Sequence, residues 1–225
     1  MKTNKKIKEK LLFSLGVFLF ILGVFFLGYF NLKNQVQKQK GERLEQKIVT
    51  NIYKAKTIEN KDIEPKKEDK YEKEAYSIKN DDAIGVVRID KINLVLPIYD
   101  NTSKQSLLDG VGLLETTDFP SSNKNMVTVL AGHRGSRSGL EYFLNIGKLK
   151  KGDDIKISTR KEILYYKVTG EEVIEPDDWS RFIREKEKTK LYLMSCHPYP
   201  QNYQRLLIKA ELIKDTEINA NEEVQ

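Results

Sequence analysis

The sequence contains very little cysteine and histidine: 225 residues include one cysteine, Cys196, and two histidines. A single cysteine excludes any disulfide within the chain. No cluster of metal-ligating residues is evident in the sequence either. Cys196 is therefore either a buried apolar side chain, the commoner case for a lone cysteine, or a reactive thiol.

Excess positive charge is confined to the amino terminus. Five lysines and one glutamate in residues 1–10 supply +4 of the formal net charge of +6, so the rest of the chain is nearly balanced. A balanced surface does not indicate a nucleic-acid-binding protein. We therefore expect no nucleic-acid partner.

Only one long apolar run is present, from Leu11 to Phe30, and it contains no charged residue. It has about the length that a helix needs to cross the hydrocarbon core of a bilayer. The lysines before it favour a cytoplasmic amino terminus. A cleaved signal peptide is the competing interpretation, but its apolar core is usually shorter, and NLKNQVQK offers no small-x-small cleavage site. We expect a single-pass anchor in the cell membrane, with the remaining chain extracellular.

Composition divides the chain into five parts. Residues 31–80 are rich in Lys, Glu, Gln and Asn and have too few apolar residues for a core, which predicts a solvated stalk with some helix. The predicted parts are a cytoplasmic basic segment (1–10), a transmembrane anchor (11–30), the polar stalk (31–80), a folded domain (81–214) and a polar tail (215–225).

The folded domain is predicted to be all-β, because short β-like runs alternate with turns. The predicted strands are AIGVVRI, NLVLPIY, GVGLLE, NMVTVLAG, DDIKIST, ILYYKVTGEEVI, KLYLMSC and RLLIKAELI. Short helices are expected around GLEYFLNIGKL and DDWSRFIREKEK. About eight strands with few helices between them favour a closed barrel or a sandwich.

Strand periodicity predicts the environment of Cys196. The residues of RLLIKAELI that alternate with Arg205 form an apolar face that includes Leu206 and Ile208, so Arg205 is expected to face away from the core. Cys196 shares a face with Met194, which leaves its side ambiguous, and a one-residue slip would reverse both assignments. A thiol at a strand end and an outward arginine can meet in a surface groove.

A thiol with an ordinary pKa of about 8.5 is only a few per cent ionised at neutral pH, so a catalytic cysteine usually needs a base. His133, in TVLAGHRGSRSG, follows an apolar strand and precedes a glycine-rich turn, where catalytic residues are common. His197 adjoins the cysteine but points to the opposite strand face, and an exposed loop position is expected for it. Exposed loop positions are also favoured for Arg134 and Arg137, which could otherwise line a groove.

The strings TVLAGHRG, YLMSCHPY and RLLIKAEL, with Arg205 nine residues after Cys196, together resemble the sortase family of cell-surface cysteine transpeptidases. LPIYDNTSKQSLLDGVGLLE resembles the early strands of the same family. The resemblance covers about residues 83–213 and implies an eight-stranded closed β-barrel. It also implies that Cys196 is the nucleophile, that His133 is the general acid and base, and that Arg205 stabilises the oxyanion.

The resemblance further implies a surface-protein substrate with a Leu-Pro-x-Thr-Gly-like sorting signal, cleaved between Thr and Gly. The acceptor would be an amine of a cell-wall precursor or a lysine of a pilin. No cofactor is expected, and any calcium dependence is left open. Ser195, before the thiol, and Trp179, in a loop that could wall the groove, are weaker substrate-binding candidates; ordinary packing is an equal alternative for Trp179.

Two features of the sequence indicate which kind of sortase it resembles, a pilin-polymerising or a protein-anchoring enzyme. CHPY and the nine-residue step to Arg205 are most similar to pilin-polymerising sortases, which carry CTPY. IEPKKEDKY, however, contains no Asp-Pro-aromatic lid motif, and the carboxyl-terminal tail is too polar for a second membrane segment. The sequence therefore favours a protein-anchoring enzyme.

Two alternatives remain. A cysteine L,D-transpeptidase usually has an SHGC-like sequence at its thiol, which YLMSC lacks. A membrane-tethered binding module without catalytic activity would keep Cys196 as a structural residue. Accessibility of the thiol to a labelling reagent separates the second alternative from an enzyme.

Overall fold

The computed structural model describes residues 2–59, 83–135 and 140–216, with side chains for 10–54, 83–135 and 140–213. Arg137, residues 60–80 of the predicted stalk and residues 217–225 of the predicted tail lie outside the described residues. The predictions made for them stay predictions.

Eight strands form a closed barrel, as predicted. In chain order they are β1 (Ala83–Ile89), β2 (Leu94–Tyr99), β3 (Val111–Leu113), β4 (Met126–Ala131), β5 (Asp154–Thr159), β6 (Ile163–Ile174), β7 (Thr189–His197) and β8 (Gln204–Thr216). Around the barrel the order is β1-β2-β3-β4-β7-β8-β6-β5. The β2–β3 and β4–β7 pairs are parallel, and the other pairs are antiparallel. Each predicted β-run overlaps one observed strand.

Alternation along the strands fills the barrel interior. Leu191 and Leu193 of β7 and Leu206 and Ile208 of β8 all belong to the central apolar cluster. Because successive strand residues point to opposite faces, the residues between them lie on the outside of the barrel. The predicted faces of these two strands are therefore confirmed, and Arg205 lies on the outer face.

The prediction of two short helices was wrong in position, because neither stretch forms an α-helix. Of GLEYFLNIGKL, the described residues 140–149 contain only one 3₁₀ turn, Ile146–Lys148, because Tyr142 has a left-handed φ of 37° that no α-helix continues. DDWSRFIREKEK likewise contains only the 3₁₀ turn Trp179–Arg181. The short helix of the domain, α2, instead spans Lys104–Asp109, where Ser103 caps it by accepting a hydrogen bond from the backbone N–H of Ser106 at 3.2 Å.

The longest element is helix α1 (Lys2–Glu59), whose 58 residues extend over about 87 Å at 1.5 Å per residue. Its amino-terminal half is long and apolar enough to cross a membrane, and none of that apolar window is buried within the protein. The predicted anchor is thus a helix that continues without interruption into the region predicted to be a stalk.

The expectation of a solvated stalk needs correction for residues 31–59. Here α1 lies against the outside of β1, β2 and β5, and Leu44, Ile48 and Ile52 are each at most 5% exposed. They pack on outward-facing apolar residues of the barrel, among them Val86 and Val95. The spacing of four residues gives α1 one continuous apolar stripe, and the strands beneath it are buried on both faces.

A buried carboxylate, Glu45, sits beside this stripe and binds two cations of the barrel. Arg88 Nε of β1 donates to Glu45 Oε2 at 2.8 Å, and Lys156 Nζ of β5 lies 2.9 Å from Glu45 Oε1. Burial alone would raise the pKa of Glu45, but hydrogen bonds from Arg88 and Lys156 outweigh it and lower the pKa below the ordinary value of 4.5. Because the pKa is lower in the folded state, this stabilisation is present above about pH 4.5 and is lost on acidification.

Gly41 allows α1 to approach the barrel closely. A Cβ at this position would lie 2.6 Å from the backbone oxygen of Val95 in β2, which is a clash with atoms that cannot rotate away. Glycine in a helix interior costs about 1 kcal/mol relative to alanine, so its presence here is explained by close packing rather than by helix propensity.

Replacing Glu45 by Gln is expected to weaken the docking of α1. Removing one partner of a buried ion pair typically costs about 3–5 kcal/mol. Arg88 and Lys156 are partly exposed and can regain water, so we expect about 2 kcal/mol. This corresponds to amide hydrogen exchange roughly 30-fold faster across residues 41–52 in the full chain held in nanodiscs.

The matched control is Gln46→Ala, which changes the neighbouring exposed position and should leave exchange unaltered. Unchanged exchange in Glu45→Gln would show that the apolar stripe alone holds the helix.

Candidate active site

Strand pairing brings Cys196 and Arg205 together. β7 and β8 are antiparallel, and Cys196 is directly opposite Arg205 in their register. Residues directly opposite on antiparallel strands have Cβ atoms about 4.5–5.5 Å apart and share a face. The thiol and the guanidinium therefore lie side by side on the outside of the barrel, and both residues are half-buried.

The guanidinium of Arg205 is fixed by the connection between the two strands. Its Nη1 donates to the backbone oxygen of Gln204 at 2.9 Å and to that of Asn202 at 3.3 Å. Asn202 itself has a left-handed φ of 64° and closes the turn through a hydrogen bond from its N–H to the Pro198 oxygen at 2.7 Å. A short, hydrogen-bonded turn thus orients the arginine next to the thiol.

His133 reaches the same level from the other side of Cys196. β4 runs parallel to β7, with Ala131 paired to Met194, and the N–H of Gly132 donates to the Met194 oxygen at 3.0 Å. His133 follows the end of β4 by two residues, and Cys196 follows Met194 by two, so the parallel pairing leads both residues to the same end of the barrel. Three neighbouring strands, β4, β7 and β8, thus bring the imidazole, the thiol and the guanidinium to one end of the barrel, as a row in which His133 follows β4.

Tyr142, which the sequence analysis missed, holds the His133 segment in place. Its ring contacts the His133 ring edge to face, with 5.9 Å between centroids. Its hydroxyl donates to the Leu108 oxygen at 2.6 Å, and the next residue, Phe143, donates its N–H to the His133 oxygen at 2.9 Å. The left-handed φ of Tyr142 is uncommon for an aromatic residue and often marks a functional site, but it is a property of the fold that the sequence does not display.

Arg134 is not the exposed loop residue that was expected. It is half-buried, and its Nη1 lies 2.9 Å from His197 Nδ1 and 3.4 Å from the Cys196 backbone oxygen. A guanidinium can only donate, so His197 Nδ1 is the acceptor in this pair. Arg134 Nε is buried without a partner among the described residues. Arg134 and His197 therefore hold the end of β7 from the face opposite the Cys196 thiol.

Ser195 lies on the inner face of β7, away from the thiol. It is 2% exposed, and its hydroxyl has no hydrogen-bond partner among the described residues. A substrate in the outer groove would not contact this side chain directly. The weaker assignment of Ser195 to substrate binding is therefore not supported by its position.

Trp179 lies on the surface, in the connection between β6 and β7, and is 52% exposed. It packs edge to face on Phe182, which packs in turn on Tyr192 of β7. An open cavity of about 420 Å³ lies beside it, walled by this connection, Val127 of β4 and the residues that follow β3. Tyr192 is on the same outer face as Cys196, so this apolar cavity and the thiol share one side of the barrel.

Comparisons with known proteins agree on one family. The Sortase domain family model matches residues 87–213. The chain is 32% identical over 117 residues to Sortase D of Bacillus subtilis (strain 168), a match that covers 52% of this chain and 56% of that relative. It is 24% identical over 209 residues to Sortase A of Bacillus anthracis, covering 92% of this chain and 96% of the relative.

Solved structures with similar folds are also sortases. The Group B Streptococcus pilus island 1 sortase C2 is 36% identical, with a TM-score of 0.57, over 59% of this chain and 75% of that one. Sortase C of Clostridium perfringens, in a structure with the C-terminal cell wall sorting motif, is 31% identical, with a TM-score of 0.56, over 78% of this chain and 90% of that one.

The position of Cys196 predicts that the folded protein reacts with thiol reagents. The residue is half-buried at the end of β7 rather than enclosed in the barrel core. Iodoacetamide is expected to modify it under native conditions, as measured by intact mass. Cys196→Ser removes the only thiol and is the control, and a residue that reacts only after unfolding would indicate a structural role.

Proposed function

Because the chain belongs to the sortase family, we propose that it is a cysteine transpeptidase that cleaves a Leu-Pro-x-Thr-Gly-like sorting signal between Thr and Gly. It then joins the surface protein to an amine of a cell-wall precursor. The observation that carries the proposal is that strand pairing brings His133, which follows β4, to the same end of the barrel as Cys196 of β7 and Arg205 of β8. The proposed location is the cell membrane, with a single span at residues 11–30 and the barrel outside the cell.

In the first half of the proposed reaction, the Cys196 thiolate attacks the threonine carbonyl carbon. The C–N bond to glycine breaks, and His133 donates a proton to the departing amine. The product is a thioester between the substrate and Cys196. Arg205 stabilises the negative charge that develops on the carbonyl oxygen.

In the second half, an incoming amine attacks the thioester and gives up a proton to His133. The C–S bond breaks, and the thiolate is regenerated. Both halves use only side chains of this barrel, so the proposed chemistry needs no metal or cofactor. The apolar cavity next to Trp179 is the proposed binding region for the Leu-Pro end of the signal.

A second candidate function is pilin polymerisation, in which a pilin lysine is the acceptor. The likeness to the pilus island sortase C2 supports it, as does the CHPY sequence after the thiol. The absence of a lid motif from IEPKKEDKY favours anchoring, and that stretch lies outside the described residues. A library of sorting peptides offered with either a wall-precursor amine or a lysine peptide, and analysed by mass spectrometry of the products, decides between the two.

Substitutions of Cys196 and Arg205 are expected to lower the activity by different amounts. Cys196→Ala should abolish turnover of a Leu-Pro-x-Thr-Gly peptide by the full-length protein. Arg205→Lys should lower kcat by about 10²–10³, because one rotating ammonium does not replace a planar set of donors. Product formation with a fixed amine acceptor measures both effects.

His133 and His197 provide a matched pair for the same assay. His133→Ala should lose far more activity than His197→Ala, because His197 is the next residue after Cys196 on β7 and points to the opposite face of the strand. A larger loss of activity in His197→Ala than in His133→Ala would show that His133 is not the general acid and base.

Trp179→Ala is expected to raise KM about tenfold and leave kcat nearly unchanged. A residue that contacts the substrate away from the reacting bond contributes equally to the ground state and the transition state. Val173→Ala, an exposed apolar residue on β6 outside the cavity, is the control. A fall in kcat at constant KM would show instead that Trp179 stabilises the transition state of the reaction.

A further inference from the structure

An apolar surface continues from the membrane-spanning part of α1 onto the barrel. Leu32 and Val36 lie one turn apart on α1 and are 60% and 47% exposed. Across a cleft of about 330 Å³ they face Leu140 and Leu108, the latter a residue of α2 that is 44% exposed. These four residues, Leu32, Val36, Leu108 and Leu140, are called the membrane-side patch below.

The depth of the patch follows from helix geometry. The apolar run from Leu11 to Phe30 is about 30 Å long as a helix, which equals the thickness of the hydrocarbon core. Leu32 and Val36 follow Phe30 by two and six residues, so they lie about 3 and 9 Å beyond that boundary. The headgroup zone is about 5–7 Å thick on each side, so α1 presents these apolar side chains at its depth and just above it.

The residues at the start of this region are typical of a membrane interface. Lys33 Nζ lies 4.8 Å from the centroid of the Tyr29 ring, a cation–π contact. Tyrosine is enriched where the chain leaves the hydrocarbon, and a lysine there can extend its ammonium towards the headgroups. Lys40 and Asp109 also line the cleft and bring opposite charges to its rim.

The barrel half of the patch is held beside Leu32 and Val36 by direct contacts with α1. The N–H of Glu141 donates to Asn34 Oδ1 at 3.2 Å, and the side chain of Gln37 is hydrogen-bonded to Tyr142. Farther along the helix, Glu45 and its neighbours fix α1 to the barrel. Leu108 and Leu140 therefore cannot move away from Leu32 and Val36 without undocking the helix.

We propose that the membrane-side patch is a lipid-contacting surface through which the barrel rests on the leaflet from which α1 emerges. Large exposed apolar surfaces usually mark interaction sites. Lipid is the occupant that fits here because the patch is continuous with the membrane-spanning helix and begins within the headgroup zone. The proposal rests on residues 11–30 crossing a membrane and is independent of the reaction catalysed.

One consequence concerns the position of the candidate active site. The Leu108 backbone oxygen accepts the Tyr142 hydroxyl, and the Tyr142 ring contacts His133. Two residue-to-residue contacts thus separate the lipid-contacting patch from the imidazole. The row of His133, Cys196 and Arg205 is accordingly held close to the bilayer surface.

Quenching of tryptophan emission by brominated lipid tests the proposal without using enzymatic activity. The chain has one tryptophan, so Leu108→Trp in a Trp179→Phe background gives a single probe on the barrel half of the patch. The full chain is placed in nanodiscs of phosphatidylcholine and phosphatidylglycerol, with or without bromine near the top of the acyl chains. We expect Leu108→Trp to lose most of its emission in brominated discs and its maximum to be shifted to the blue.

The matched control is Val173→Trp in the same background, since Val173 is also 44% exposed but lies on β6, away from α1. It should keep its emission in both kinds of disc. If Leu108→Trp does not fold, as judged by thermal unfolding, Leu108→Cys labelled with an environment-sensitive dye in a Cys196→Ala background replaces it.

Two outcomes overturn the proposal. Emission from Leu108→Trp that matches the Val173→Trp control in brominated discs would place the patch in water. Blue-shifted emission that bromine does not quench, but that depends on the number of chains per disc, would show that a second copy of the chain covers the patch.

Discussion

The antiparallel register of β7 and β8 is the constraint on which the site depends. It sets Cys196 opposite Arg205, and a shift of one residue would move one of them to the barrel interior. The register is strongly specified, because the inner faces of both strands carry buried leucines and isoleucine that would be exposed by such a shift. The same packing that stabilises the barrel therefore fixes the thiol beside the guanidinium. The parallel pairing of β4 with β7 then brings His133, two residues past the end of β4, to the same end of the barrel.

Much of the barrel could be predicted from the sequence, because strand alternation is a local signal. The faces of β7 and β8 followed from the spacing of their apolar residues, and the structure confirms them. The short helices were harder to predict. The buried apolar residues around Phe143 imitate a helical pattern, but a backbone hydrogen bond to His133 and the left-handed Tyr142 determine the actual conformation. Such contacts join distant segments and leave no periodic signal.

The docking of α1 on the barrel was not predicted from the sequence, for a different reason. Residues 31–59 looked too polar for a core because only one narrow stripe of the helix is buried. A signal was present in the four-residue spacing of Leu44, Ile48 and Ile52 and in β2, where NLVLPIY is apolar on both faces. Recognising it requires knowing that two distant segments meet. The role of Arg134 was missed for a similar reason, because its partner His197 lies 63 residues further along the chain.

The most direct test of the central claim is trapping of the intermediate. The full-length protein is mixed with a Leu-Pro-x-Thr-Gly peptide in the absence of an acceptor amine, and its intact mass is measured together with a peptide map. We expect an adduct equal in mass to the peptide up to threonine, attached to Cys196 as a thioester and released by hydroxylamine. An alkylatable Cys196 that forms no such adduct with any member of a sorting-peptide library, or an adduct on another residue, would contradict it.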